Sequence, residues 1–232
     1  MPSGYGISPS DLVWTYSECP RCYYLAVRHK LRRPARPMAA IFQRIDDAAK
    51  RLCRVGTRTE AVCSSMPPGT FVSYPEHVYS RVYPPPPGAI SRFYVHGKPD
   101  GLVQWDDGTF AIIDHKTSSP SPSSVLRYGT QLEIYATALE DPAEGEPIGA
   151  VSSLGLIVFE PQAFKDDPEE GKINLHGNLV WLPVGRQHEQ LRALLAEVIP
   201  VLDGLLPPPT MGCPYCAWPD APAAVGRQGT LL

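Results

Sequence analysis

The sequence predicts an α/β fold with a mixed central sheet flanked by helices. Three observations predict it. Apolar residues recur at three-to-four spacing from Met38 onward, again over 124–140 and again over 187–203, the periodicity of amphipathic helices. Between the first and second of these lie short runs rich in β-branched and aromatic residues, at 70–74, 77–83, 90–97, 101–105 and 109–114. Two further apolar runs, 150–160 and 178–184, precede the last helix, so the order is helix, several strands, helix, two strands, helix.

Each element has a local reason. Residues 8–28 open with "SPSDL", where Ser8 or Ser10 can cap a helix and Pro9 suits its first turn. "RRPARP" at 32–37 ends any helix, and Ile41, Phe42, Ile45, Ala48, Ala49 and Leu52 then mark the apolar face of the next one. "PPPPG" at 84–88 is a stiff connector between strands. "DDG" at 106–108 has the composition of a tight hairpin with glycine in a left-handed position. "SSPSPSS" suits a loop and a helix cap before 124–140, "DDPEEGK" reads as a solvated loop, and 219–232 reads as a loose C-terminal tail behind one domain spanning 1–218.

Composition narrows the class. With 43% hydrophobic and 19% charged residues in 232, the chain is neither disordered nor a membrane protein, and it can bury one proper core. No run approaches the length of a membrane span, and the N-terminus has no signal-peptide pattern, so a cytoplasmic protein with reduced thiols is expected. The net charge of −3 hides an asymmetry: residues 1–60 carry 11 Lys/Arg against five acids, +6, which leaves −9 for the remainder. A basic lobe is what phosphate binding uses, although a solvated helical surface looks the same on charge alone.

The chemistry concentrates around "GKPD" and "IIDHK". Residues two apart in a strand point the same way, so Asp114 and Lys116 share a face and His115 points to the other. If 106–108 form a three-residue loop, Trp105 pairs with Thr109, and counting back puts Asp100 opposite Asp114. Two carboxylates held that close repel unless a cation lies between them, and hard oxygen ligands with room for water suit magnesium or manganese. A bare D-x-K is also what an ordinary strand-end ion pair looks like. The matching register of Asp100 puts the catalytic reading level with that one on spacing alone.

Taken together, "PD" at 99–100, "IIDHK" at 112–116 and "QLEIY" at 131–135 resemble the PD-(D/E)XK nuclease superfamily. More narrowly, the pattern is similar to the RecB-type branch, which includes the CRISPR-associated adaptation exonucleases and the nuclease domains of bacterial recombination helicase–nucleases. The resemblance implies a restriction-endonuclease-like fold, with Asp100 and Asp114 as metal ligands and Lys116 assisting catalysis. It also implies that Gln131 and Tyr135, four apart on one helix face, hold the DNA or the site. The branch usually carries a histidine ligand on its early helix. "IFQRIDDAAKRL" has none, and Asp46 is the best substitute, ahead of Asp47. His115, His96 and His29 read as structural or surface residues.

"CPRC" at 19–22 and "CPYC" at 213–216 form two C-x-x-C pairs almost two hundred residues apart. Cys19, Cys22, Cys213 and Cys216 make a credible four-thiolate site that would pin the N- and C-terminal segments together, whereas Cys53 and Cys63 read as ordinary buried residues. The spacing alone favours tetrahedral zinc. The resemblance implies a four-iron four-sulfur cluster, although its pattern is one early and three late cysteines rather than two and two. The cluster is the expectation carried forward, with structural zinc as the alternative.

The expected function is a metal-dependent DNA nuclease, an exonuclease on single-stranded or end-bearing DNA, working in CRISPR adaptation, recombination and repair, or phage defence. The alternatives are a catalytically inactive nucleic-acid-binding or assembly subunit that keeps the fold, and a zinc-stapled interaction module.

Overall fold

The computed structural model describes residues 4–34, 39–117, 119, 121–166 and 171–216. The expected tail at 219–232 lies outside them. Eight strands and five α-helices are present among the described residues: β1 (Tyr5–Ile7), α1 (Pro20–His29), α2 (Ala40–Leu52), α3 (Thr59–Val62), β2 (Gly69–Phe71), β3 (Val78–Tyr79), β4 (Phe93–Gly97), β5 (Gly101–Trp105), β6 (Phe110–Lys116), α4 (Pro122–Glu140), β7 (Val151–Asp166), β8 (Ile173–Val184) and α5 (His188–Asp203). They make a five-stranded mixed sheet of order β2-β5-β6-β7-β8 and a three-stranded sheet of order β1-β4-β3.

The β5–β6 hairpin fixes the register of everything that follows. Trp105 N–H donates to Thr109 O at 2.8 Å and Gly108 N–H donates to Trp105 O at 2.9 Å, which closes a three-residue loop. Gly108 takes φ +88°, a backbone conformation that a Cβ would strain. The ladder then runs from Gln104↔Phe110 to Gly101↔Ile113. Asp100 stands just before this ladder on one strand and Asp114 just after it on the other, the two positions that the sequence counts opposite each other.

After β6 the chain crosses over through α4 and returns as β7, parallel to β6, so both strands are sandwiched and apolar. Pro122 opens α4 after Ser121, whose side chain accepts from Ser124 N–H. The inner face of α4, with Leu132, Tyr135, Ala136 and Leu139, packs in one core with Val95, Leu102, Ile112, Leu154, Leu156, Val198 and Ile199.

Four expectations change. The helix expected over 8–28 divides: a π-helical stretch at Asp11–Tyr16 gives way at Cys19 (φ −162°), and α1 begins afresh at Pro20. A residue before proline is driven out of the helical region, so the break is local. The periodicity from Met38 does form a helix, but Ile41, Phe42 and Leu52 on its apolar face are exposed. That face looks across a cavity of about 290 Å³ toward Phe159, Leu175 and Leu179 instead of lying in the core. The runs at 70–74, 77–83 and 90–97 contract to β2, β3 and β4. β7 and β8 run past the sheet as a long antiparallel arm, pairing as far as Asp166↔Ile173.

Glu133, in the middle of "QLEIY", is fully buried on α4 and faces away from the carboxylate pair. Arg186 Nη2 lies 2.8 Å from Glu133 Oε1 and 2.7 Å from Glu140 Oε2, and Gln187 N–H donates to Glu133 Oε2 at 2.7 Å. This network ties the end of β8 to α4. Removing one partner strands a charge in the core, so Arg186→Ala is expected to cost about 3–5 kcal/mol of stability, measured by denaturant unfolding.

Candidate functional site

Three elements meet at the open end of the β5–β6 hairpin. β6 contributes Asp114, His115 and Lys116, the turn into β5 contributes Asp100, and α2 contributes Asp46 and Lys50. The helix α4 closes one side with Gln131 and Tyr135.

Asp114 is almost fully buried. Its Oδ1 accepts from Gln131 Nε2 at 3.0 Å, and its Oδ2 forms an ion pair with Lys116. Burial pushes its carboxyl up to about 7; the Lys116 ammonium opposes that rise and the Asp100 charge adds to it. Gln131 Nε2 also lies 3.3 Å from Tyr135 Oη. Lys116 Nζ sits 4.3 Å from the centre of the Tyr128 ring, a cation–π contact that fixes the amine from the other side.

Asp100 is held differently. Its Oδ2 accepts from His115 N–H at 3.1 Å, and its Oδ1 lies 2.8 Å from Lys50 Nζ. The same ammonium lies 2.9 Å from Asp46 Oδ2. Burial alone would raise the Asp100 carboxyl, but Lys50 and the His115 N–H hold it below the ordinary carboxylate range. Burial likewise works against the Lys50 ammonium, and Asp100 with Asp46 outweigh it and keep it charged.

The sequence-predicted residues Asp100, Asp114, Lys116, Gln131 and Tyr135 therefore form one connected set, and Asp46 joins through Lys50. Asp47 is exposed and accepts from Gln43 instead. Two residues depart from expectation. His115, read as structural because it points away from Asp114, offers a ring nitrogen that lies with carboxylate oxygens of Asp46 and Asp100 inside a mutual separation of 4.8 Å. Asp100 lies just outside the regular ladder, so its carboxylate is free of the strict alternation. Cys53, read as an ordinary buried residue, is half-buried and places Sγ 3.3 Å from His115 Nε2. The other ring nitrogen, Nδ1, is buried with no hydrogen-bond partner among the described residues. Burial pushes the Cys53 thiol up to about 12 and keeps it neutral. Lys50 was missed altogether. Its signal was the i, i+4 spacing from Asp46.

Two carboxylates and an imidazole can hold a divalent ion, and this set fits one on two counts. A cationic group already sits between the carboxylates, and a buried ring nitrogen lacks a partner.

The four cysteines lie apart from this set in a cluster of their own, where they also pack together. Cys19 Sγ is 3.5 Å from Cys216 Sγ, Cys22 Sγ is 3.7 Å from Cys213 Sγ and 3.6 Å from Cys216 Sγ, and none is in a disulfide. Burial would raise the Cys19 thiol, but hydrogen bonds from Thr210 bring it down to about 6, whereas burial pushes Cys216 up. Four thiols crowded this closely, one of them poised to ionise, can hold a metal ion.

A family model described as the PD-(D/E)XK nuclease superfamily matches residues 43–221. No curated protein matches. Among solved structures, one entitled "Crystal structure of SSO0001" is similar with a TM-score of 0.42 and 14% identity, over 84% of this chain and 75% of that one.

The Gln131 amide is the hydrogen-bond donor on an oxygen that burial has stripped of water. Gln131→Leu leaves that oxygen unpaired and is expected to cost about 1–3 kcal/mol, read by denaturant unfolding against the wild type.

Proposed function

The chain belongs to the PD-(D/E)XK nuclease superfamily, and from that membership we propose that it is a divalent-metal-dependent deoxyribonuclease of the RecB-type branch, acting on single-stranded or end-bearing DNA. The observation that carries the reading is the convergence of Asp46, Asp100 and His115 within 4.8 Å, beside the Asp114–Lys116 pair. The settings that branch implies are CRISPR adaptation, recombination and repair, or phage defence. The reduced cysteines suit a cytosolic protein, and among the described residues no helix is long and apolar enough to cross a membrane.

We assign Asp46, Asp100 and His115 to the metal, with Asp114 next to them. Held by these residues, a divalent ion would supply a lowered pKa for a bound water and compensation for charge that builds on the phosphate. Lys116, fixed between Asp114 and Tyr128, orients the attacking water or stabilises the crowded phosphorus centre. Gln131 and Tyr135 keep Asp114 in place. The imidazole makes manganese a better match than magnesium, which prefers oxygen alone.

A second reading, an inactive nucleic-acid-binding subunit, draws on Lys50, whose ammonium already neutralises Asp46 and Asp100. The two readings differ in metal binding. Under the nuclease reading, calorimetry detects manganese binding and Lys50→Met binds it about tenfold tighter, because a competing cation has gone. Purified protein then shortens end-labelled DNA with manganese, more slowly with magnesium and not with chelator, and Asp114→Ala or Lys116→Ala each lose roughly a hundredfold or more. Activity that survives either change sinks the mechanism.

For the cysteine site we favour one tetrahedral zinc over the four-iron four-sulfur cluster. Sulfurs about 2.3 Å from a single zinc stand about 3.8 Å apart, close to the 3.5–3.7 Å between these thiols. A cubane binds each cysteine through a different iron and needs wider spacing. Its role is structural. Protein purified without oxygen is expected to be colourless, with one equivalent of zinc by elemental analysis; a brown protein rich in iron and sulfide would overturn this assignment.

A further inference from the structure

The three-stranded sheet carries a row of rings that the carboxylate site does not use. Phe93, Val95 and Val78 point into the core, so alternation sends Tyr94 and His96 of β4 to the outer face. Tyr79 pairs with His96 across the ladder and shares that face, as does His77 two residues before it. The His77 and Tyr79 rings stack at 4.4 Å and 8°, His77 and His96 at 5.3 Å and 18°, and Tyr79 and His96 at 5.6 Å and 15°. Tyr94 tilts against His96 at 5.7 Å. On the neighbouring β1, a Cβ at Gly6 would come within 2.6 Å of the Tyr94 hydroxyl, so the glycine makes room for that side chain to lie across the sheet.

Cations surround this face. Lys98, at the end of β4, pairs with exposed Glu76 at 2.8 Å. Burial first and then the neighbouring His77 hold His96 down to about 4; Asp11 opposes that, while Arg32, itself paired with Asp11 at 3.1 Å, and Lys30 add to it, and a neutral ring stacks better than a charged one. The face also runs into the candidate catalytic site. β4 continues through Gly97, Lys98 and Pro99 into Asp100, and Tyr74, Glu76 and Lys98 line a cleft of about 360 Å³ together with Lys50 and Asp100. Four residues span at most about 13 Å, a reach of a few nucleotides.

We propose that the His77–Tyr79–His96–Tyr94 face is a base-stacking platform that holds the unpaired end of a single-stranded nucleic acid leading into the cleft that Lys98, Lys50 and Asp100 line. The proposal rests on the nuclease reading for what the cleft does and adds the surface that would hold an unpaired strand. Unpaired bases can lie on the rings whatever their identity, while the flanking lysines and arginine take the phosphates. Bases stacked inside a blunt duplex have no face to offer, so selection for single strands follows from the platform itself.

The test is binding of fluorescein-labelled oligothymidylate to the full chain, by anisotropy with no divalent ion added, so that nothing is cut and the cysteine site is left intact. Tyr79→Ala is expected to weaken binding about fivefold or more, and Tyr79→Phe, which keeps the ring, to bind as the wild type does. Binding of a blunt duplex should be the same in all three. An abasic oligonucleotide of equal length should bind the wild type about as weakly as oligothymidylate binds Tyr79→Ala. Equal affinity of wild type and Tyr79→Ala for oligothymidylate overturns the proposal. Where Tyr79→Ala loses the duplex as well, wild type that does not distinguish abasic from normal strands overturns it. Because binding is read without cleavage, a protein that binds in this way yet never cuts would sink the nuclease reading and leave the platform standing.

Discussion

A carboxylate enclosed at the edge of a protein core needs a cation, and here two carboxylates face each other across one hairpin. Each is compensated from a different direction. Asp114 draws on Lys116 two residues along its own strand, and Asp100 draws on Lys50 from α2. At short range and reduced dielectric each of these attractions is several times what it would be in water. They organise more than the carboxylates. α2 leaves much of its apolar face exposed, so hydrophobic burial holds it only in part. Its polar edge is anchored instead, through Lys50 to Asp100 and through Cys53 to His115. The helix sits where charge compensation puts it.

That explains what the sequence could and could not tell. The Asp100–Asp114 register was legible because it follows from one loop length, and loop length follows from a glycine that must take positive φ. Gln131 and Tyr135 were legible because helical spacing is local. Lys50 and His115 were not, since their roles depend on where α2 docks against β6, a relation between segments more than sixty residues apart. The exposed face of α2 misled for a related reason: periodicity names the apolar face of a helix but not whether anything covers it. The break at Cys19 was readable from Pro20 and was outweighed by the helix-like run on both sides.

The cysteine cluster and the Arg186 network solve one topological problem at two places. α1 and α5 come from distant parts of the sequence and pack together, and Arg28 on α1 donates to Leu202 O on α5 at 3.0 Å. The cluster brings Cys22 and Cys213, 191 positions apart, to 3.7 Å, and a metal held by the four thiols would close that loop and remove entropy from the unfolded chain. Arg186 performs the shorter closure, from the end of β8 back to α4, through a charge pair that burial makes intolerant of losing either member. Arg33 reinforces the first of these: its guanidinium stacks on Tyr215 at 4.6 Å and pairs with Glu18, tying the residues after α1 to the second cysteine pair.

β4 passes into β5, and so from one sheet to the other, through Lys98, Pro99 and Asp100, and these three with Gly97 before them are stiff. Gly97 lies so close to Tyr135 that a Cβ would come within 2.4 Å of its ring. Pro99 has a fixed φ, and it restricts Lys98 before it. Asp100 is then held by Lys50 and by the His115 N–H. Tyr135 in turn touches Gln131, which holds Asp114. β4 is thus linked to both carboxylates, to one through the backbone and to the other through the Tyr135–Gln131 contact. Glycine at position 97 is what allows α4 close enough to β4 for the second of these links.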